Sequence, residues 1–312
     1  MLIGIFKSNQ KIINVIAVLL LILLWIPGLI FDFELGTNLI TRYRWLDLLL
    51  ALMLISFQSI YLNIVVGEFK LVKDSSHLTS LFYILINSCL VWLFSLNVVL
   101  IANTFTLLAF HQFLRLYSSK NSYAIIFSAG LLIGVAGLIY APLFSFFILL
   151  WIVLLYTTTP TWRDFLIALF GGVLPLVYFA TYHFVWLDIT SFNVDAYFNQ
   201  IFVVEPEGFE LVHQFFFLIF IVLITLSLFN VFNQLGKSIV KTSKMMIVVL
   251  LMFGISVATF FLNHNDFLAT LIVMSVPLSI MFAILFQNIK RKWLSELLFL
   301  LLLLSIVVGY FS

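Results

Sequence analysis

The sequence predicts an all-α, polytopic transmembrane helix bundle of about eleven spans, and three observations carry that prediction. Hydrophobic residues make up 64% of the 312 and charged residues only 9%. Soluble domains are roughly half apolar and about a quarter charged, so lipid rather than water must be the main solvent. The apolar runs, such as residues 12–30 and 297–308, are continuous, whereas the strands of a membrane barrel alternate over about ten residues. Helices and closed barrels are the two structures that satisfy every backbone group inside a bilayer, and continuous runs select helices. The basic residues, finally, gather in short clusters between these runs.

Runs long enough to cross a hydrocarbon core of roughly 30 Å place helices at about 12–32, 45–66, 79–95, 97–116, 123–140, 142–158, 164–187, 213–233, 244–262, 267–288 and 293–311. The first follows Lys7 and Lys11 but has no small-x-small cleavage pattern, and reads as a retained span rather than a secretory signal. The third and fourth are separated only by Asn97, and the fifth and sixth only by Pro142. One bent segment at either place would reduce the count to ten. Gly130, Gly134 and Gly137 in the fifth form a G-x-x-x-G with another glycine one turn on, which lets a neighbouring helix approach closely. Gly171, Gly172 and Pro175 in the seventh and Pro277 in the tenth predict bends. The longest loop runs from about Asp188 to Val212 and precedes the eighth span; loops of that length are more often functional than not.

Charge orients the bundle. With the N-terminus in the cytoplasm, 13 of the 15 basic residues fall on one side, and only Arg42 and Arg44 fall on the other. Cytoplasmic loops collect Lys and Arg, so the sequence predicts the N-terminus inside and the C-terminus outside. Shifting the count by one helix in mid-chain would scatter the later clusters over both faces. Asp32, Glu34, Asp188, Asp195, Glu205, Glu207, Glu210 and Asp266 then share the outer face. No loop is long enough for a soluble domain and no repeat occurs, so residues 1–312 read as a single integral membrane domain. A net charge of +2 spread in clusters excludes a nucleic-acid surface. Cys89, the single cysteine, lies in an apolar run and reads as packing.

No Asp, Glu, Lys or Arg falls near the centre of a span, which weighs against a proton-driven transporter, since such groups usually line its pathway. The interior polar residues are Gln58, Ser59, Asn63, Asn87, Ser88, Asn103, Asn230 and Asn233, and interhelical hydrogen bonds account for them. His111 and Arg115, four apart, read as an interfacial pair rather than a headgroup site. His183 and His213 lack metal-ligand spacing, and no zinc site is expected there. Two outer clusters remain as candidates. Asp32-Phe33-Glu34, followed by Arg42 and Arg44, places two carboxylates at i and i+2; on an extended loop both face one side, where they could hold a divalent ion or act as a base. The alternative is a solvated pair at a helix exit. Asn263-His264-Asn265-Asp266 is either a tight turn or a site where His264 and Asp266 orient a phosphate or sugar.

The stretch from Leu107 to Tyr182, with Ser128 to Pro142, Trp151, Thr161 to Phe165 and Gly171 to Pro175, resembles a family of Bacteroidetes-type polytopic inner-membrane proteins of unknown function. That resemblance implies a Gram-negative cell envelope. The order of a small-residue helix, a hydrophobic hairpin, a basic turn and a helix with glycine and proline also looks like the family-C glycosyltransferases. Those multispanning enzymes use lipid-linked sugar donors and carry an acidic catalytic motif in the first outward loop, the place of Asp32 and Glu34.

Two functions follow as expectations. The first is a glycosyltransferase-like enzyme of the bacterial inner membrane, using a polyprenyl-phosphate-linked sugar on the periplasmic face. Asp32 or Glu34 would deprotonate the acceptor or hold a metal, and Arg42 or Arg44 would meet the carrier phosphate. The second is a non-catalytic subunit or scaffold of an envelope assembly or secretion complex, whose partners would be other envelope proteins.

Overall fold

The structure, a computed structural model, describes residues 6, 12–30, 44–72, 76–89, 96–117, 122–157, 160–186, 211–262, 267–289 and 291–309, with the backbone alone at some helix ends. Among them are eleven α-helices: α1 (Ile12–Ile30), α2 (Arg44–Glu68), α3 (Leu78–Asn87), α4 (Val98–Leu116), α5 (Ser122–Ile139), α6 (Phe146–Thr157), α7 (Trp162–Trp186), α8 (Leu211–Leu235), α9 (Val240–Leu262), α10 (Phe267–Asn288) and α11 (Lys292–Gly309). Each lies where the sequence predicts a span. Only the third differs substantially, its helix ending at Asn87 rather than near residue 95.

Seven helices, α2, α4, α5, α7, α8, α9 and α10, are long and apolar enough to cross a membrane. Their charges respect that solvent. Every charged residue inside a described helix stands within five residues of an end: Arg44, Asp47 and Glu68 in α2, Arg115 in α4, Arg163 and Asp164 in α7, Lys241 and Lys244 in α9, Lys292 and Glu296 in α11. Large apolar side chains such as Leu23, Met53, Phe170, Tyr178, Phe229 and Phe232 point outward. Water would penalise such a surface and lipid does not. Helix α10 is the exception, with 94% of its span buried. Helices α7 and α10 run unbroken through Pro175 and Pro277.

The chain divides into two compact units. The first comprises Met1–Leu100, Glu207–Val249 and Met274–Ser312. Here α1, α2 and α3 pack on one another and α8 packs on α11. Phe82 of α3 meets Phe286 at 4.7 Å and the edge of Phe282 at 5.8 Å, and Phe220 of α8 closes on Phe282 at 5.8 Å. Asn288 Nδ2 donates to Asn230 Oδ1 at 2.8 Å, tying α10 to α8. Helix α2 closes in a Schellman pattern: Leu71 N donates to Val66 O and Lys70 N to Gly67 O, with Lys70 left-handed at φ 52°. A non-glycine residue there costs about 1 kcal/mol. The turn directs the chain toward α3 and buries Leu71.

The second unit comprises Ile101–Pro206 and Leu250–Val273. Its densest packing joins α5 to α7. A Cβ at Gly134 would lie 2.5 Å from Gly172 O. One at Gly130 would strike the Ala168 carbonyl oxygen, and one at Gly171 the Phe127 carbonyl oxygen. The glycines therefore put the two backbones in direct contact, as the G-x-x-x-G spacing predicts. Tyr140, in extended backbone, and a 3₁₀ turn at Ala141–Ser145 led by Pro142 separate α5 from α6. That pair is two helices, not one bent segment. At the start of α7, Asp164 Oδ2 accepts from Thr161 N at 2.7 Å and Thr161 Oγ1 at 3.0 Å, half of a capping box, while Asp164 N donates to Thr161 O. Asn103 Nδ2 of α4 donates to Ile272 O of α10 at 2.9 Å.

Candidate functional site

Asp32, Glu34, Arg42, His264 and Asp266 lie outside the described residues, and Arg44 opens α2 as backbone alone. Three residues beyond it, Asp47 is fully buried in the first turn of α2.

A different set of polar side chains comes together in the first unit, around α3. All ten residues of this helix are buried. Ten residues rise about 15 Å, half of a roughly 30 Å hydrocarbon core. A helix that stops inside a membrane leaves carbonyls unbonded, which is tolerated only where protein or a cavity surrounds them. Local bonds close part of this deficit: Ser88 N donates to Leu85 O at 3.2 Å and Cys89 N to Ile86 O at 3.4 Å.

Side chains from the neighbouring helices hold α3 along its length. At its C-terminal end, Trp25 Nε1 of α1 donates to Ser88 Oγ at 2.9 Å. In the middle, Tyr83 OH donates to Gln58 Oε1 at 2.6 Å, and Gln58 Nε2 donates to Leu100 O at 2.9 Å. Gln58 belongs to the central part of α2, so it fixes α3 and the first turn of α4 at that level. At the N-terminal end, Asn63 Nδ2 of α2 lies 3.0 Å from His77 Nδ1, and His77 N donates to Phe6 O at 2.9 Å. Burial pushes the His77 imidazole below its usual pKa, which favours the neutral ring.

Among the described residues, five buried polar atoms at the N-terminal end of α3 have no hydrogen-bond partner, Asn63 Oδ1, Ser76 Oγ, His77 Nε2, Thr79 Oγ1 and Ser80 Oγ, and Asn87 Oδ1 at its other end is a sixth. Leaving one buried polar group unsatisfied costs about 1–3 kcal/mol, so several of them at one helix end make that end a candidate for holding a polar group. The donors and acceptors are neutral amides, hydroxyls and one imidazole. Such a set binds and orients a polar group; it supplies no strong acid or base of its own.

The sequence identified part of this cluster. Gln58, Asn63, Ser88, Asn103 and Asn230 make the interhelical or inter-segment bonds expected of them, while Ser59 and Asn87 donate within their own helices. Trp25, Tyr83 and His77 were missed. Their partners come from other helices, but His77 had a signal: Ser75-Ser76-His77-Leu78-Thr79-Ser80 concentrates hydroxyls just ahead of an apolar run.

Long apolar helices, charges confined to helix ends and a buried polar cluster define a polytopic helical membrane protein. The chain belongs to DUF6427, a family of unknown function, which it matches over residues 1–312. No curated protein and no solved structure matches it.

Proposed function

We propose that this protein receives the polar end of a membrane-resident, lipid-linked substrate beside α3, and that it is a glycosyltransferase-like enzyme working on a polyprenyl-phosphate-linked sugar. The observation that carries the reading is the short, wholly buried α3, which ends at Asn87 with Asn87 Oδ1 unpartnered beside the Trp25–Ser88 bond. Interrupted helices and irregular backbone at membrane depth recur where a polar substrate is bound.

Connectivity supports a link to the outer carboxylates. Trp25, bonded to Ser88 at the C-terminal end of α3, precedes Asp32 by seven residues and Glu34 by nine. In the proposed step, Asp32 or Glu34 takes the proton of an acceptor hydroxyl. The hydroxyl oxygen forms the new bond to the anomeric carbon, and the bond to the carrier phosphate breaks. Arg42 and Arg44 neutralise the departing phosphate, and His264 and Asp266 orient the sugar. The topology that puts these residues on one side has eleven spans with the N-terminus cytoplasmic and the C-terminus periplasmic, in a bacterial inner membrane.

The test is transfer of a radiolabelled sugar from a polyprenyl-phosphate carrier by purified protein in liposomes. Asp32→Asn or Glu34→Gln should lower the rate about 10²- to 10⁴-fold, the usual worth of a general base, with the melting temperature unchanged. Undiminished transfer by both variants contradicts the reading.

A second reading, a non-catalytic scaffold of an envelope complex, draws on α7 and α8, whose spans are each only 22% buried. Partner helices would cover those faces and remain bound through gentle detergent extraction. A monomer that is alone and active counts against it.

A further inference from the structure

The N-terminal end of α3 carries a separate assignment. The first intrahelical bond of this helix runs from Leu81 N to His77 O, so the N–H groups of Leu78, Thr79 and Ser80 precede it and have no partner inside the helix. His77, the cap residue, makes no side-chain bond to them. Side chains lean toward the start of a helix, which brings the hydroxyls of Thr79 and Ser80 to the same end as these amides. Both residues are completely buried, as are Ser76 and His77 to more than nine-tenths. Ser76 Oγ, Thr79 Oγ1, Ser80 Oγ and His77 Nε2 are all unpartnered. Because Asn63 Nδ2 donates to His77 Nδ1, the proton of the neutral ring sits on Nε2, making it a further donor.

We propose that this end of α3 is a binding site for a phosphate-type oxyanion. Three backbone N–H groups, three hydroxyls and an imidazole N–H belong to the cap and first turn at the positive end of a helix dipole, the kind of donor set that holds phosphate without a metal. A cation fits poorly, since the backbone presents donors and His77 Nε2 carries a proton. The phosphate is either the headgroup of a membrane lipid or a soluble phosphate. The site is distinct from the proposed transfer centre and does not depend on it. Asn63 stands nineteen residues along α2 from Arg44, roughly 28 Å at the helical rise.

The experiment uses the full chain in phosphatidylcholine nanodiscs with two probes, inorganic phosphate and dioctanoyl phosphatidate. Amide exchange at Leu78–Ser80 and calorimetric affinity are measured. Slowed exchange with both probes assigns the site to a soluble phosphate; slowed exchange with phosphatidate alone assigns it to a lipid headgroup. The double variant Thr79→Val/Ser80→Ala removes two hydrogen bonds to a charged group, each worth about tenfold, and should bind about 100-fold more weakly. The exchange measurement on the unaltered protein stands even where that variant fails to fold. Binding of neither probe, protection produced equally by sodium chloride alone, or a folded double variant with unchanged affinity overturns the assignment.

Discussion

Replacing Gly134 by alanine tests the contact between α5 and α7. The added Cβ would stand 2.5 Å from Gly172 O, 3.0 Å from its Cα and 3.1 Å from its carbonyl carbon. A carbon and a carbonyl oxygen meet comfortably at about 3.3 Å or more, so the helices must separate by about 0.8 Å. The atoms in the way are backbone, which no rotamer change relieves. Overpacking of this kind costs about 1–3 kcal/mol. A gap of that size also forfeits a quarter to a half of the dispersion attraction along the seam. Alanine returns about 0.8–1.0 kcal/mol through its helix propensity. Gly254 supplies the control: it lies inside α9, and a Cβ there meets nothing within 4 Å. Both substitutions gain the same propensity, so their difference isolates the steric cost. Thermal unfolding in detergent, followed by circular dichroism, should place Gly254→Ala at or above the parent and Gly134→Ala below it, with about 1–3 kcal/mol between the variants. A Gly134→Ala protein as stable as Gly254→Ala would refute the close approach.

Two further predictions concern the cluster around α3. A double-mutant cycle of Gln58→Leu and Tyr83→Phe should show coupling of about 0.6–1.7 kcal/mol, the range for hydrogen bonds between membrane helices, because Tyr83 OH donates to Gln58 Oε1 at 2.6 Å; additive losses would contradict the bond. His77, with its pKa lowered by burial from the ordinary 6.5, binds its proton more readily in the unfolded chain. Its contribution to stability is therefore present above pH 6.5 and lost as the pH falls below it, at no more than about 1.4 kcal/mol per pH unit. Denaturation curves between pH 7.5 and 5 should show that slope and His77→Gln should flatten it; an equal slope in both proteins would place His77 in water.

The positions of the helices were legible because lipid imposes one dominant rule, continuous apolar length, and this chain has little outside those lengths. A close approach at α5 was legible too, since Gly130 and Gly134 differ by one helical turn, but its partner was not: Gly171 and Gly172 of α7, which read as bend positions, lie in the seam. Helix α3 was not. The run from residue 79 to 95 is apolar enough for a full span, and hydropathy carries no mark of the place where Ser88 turns toward Trp25 rather than continuing the helix. The polar cluster was half legible: Gln58 and Asn63 stand out within an apolar helix, but their meeting with Tyr83 and His77 depends on how α2 and α3 pack. Charge pattern, in turn, directed attention to the outer loops and away from His77, which stands between serines and an apolar run.

The most direct test of the central claim, that a lipid-linked polar substrate is received beside α3, is cryo-electron microscopy of the full chain in nanodiscs containing a polyprenyl phosphate. The account predicts carrier density reaching the Ser88 end of α3, with Asp32 or Glu34 at its phosphate-proximal end and Arg42 or Arg44 against the phosphate. A closed, empty α1–α2–α3 cluster with those residues solvated and apart would contradict it.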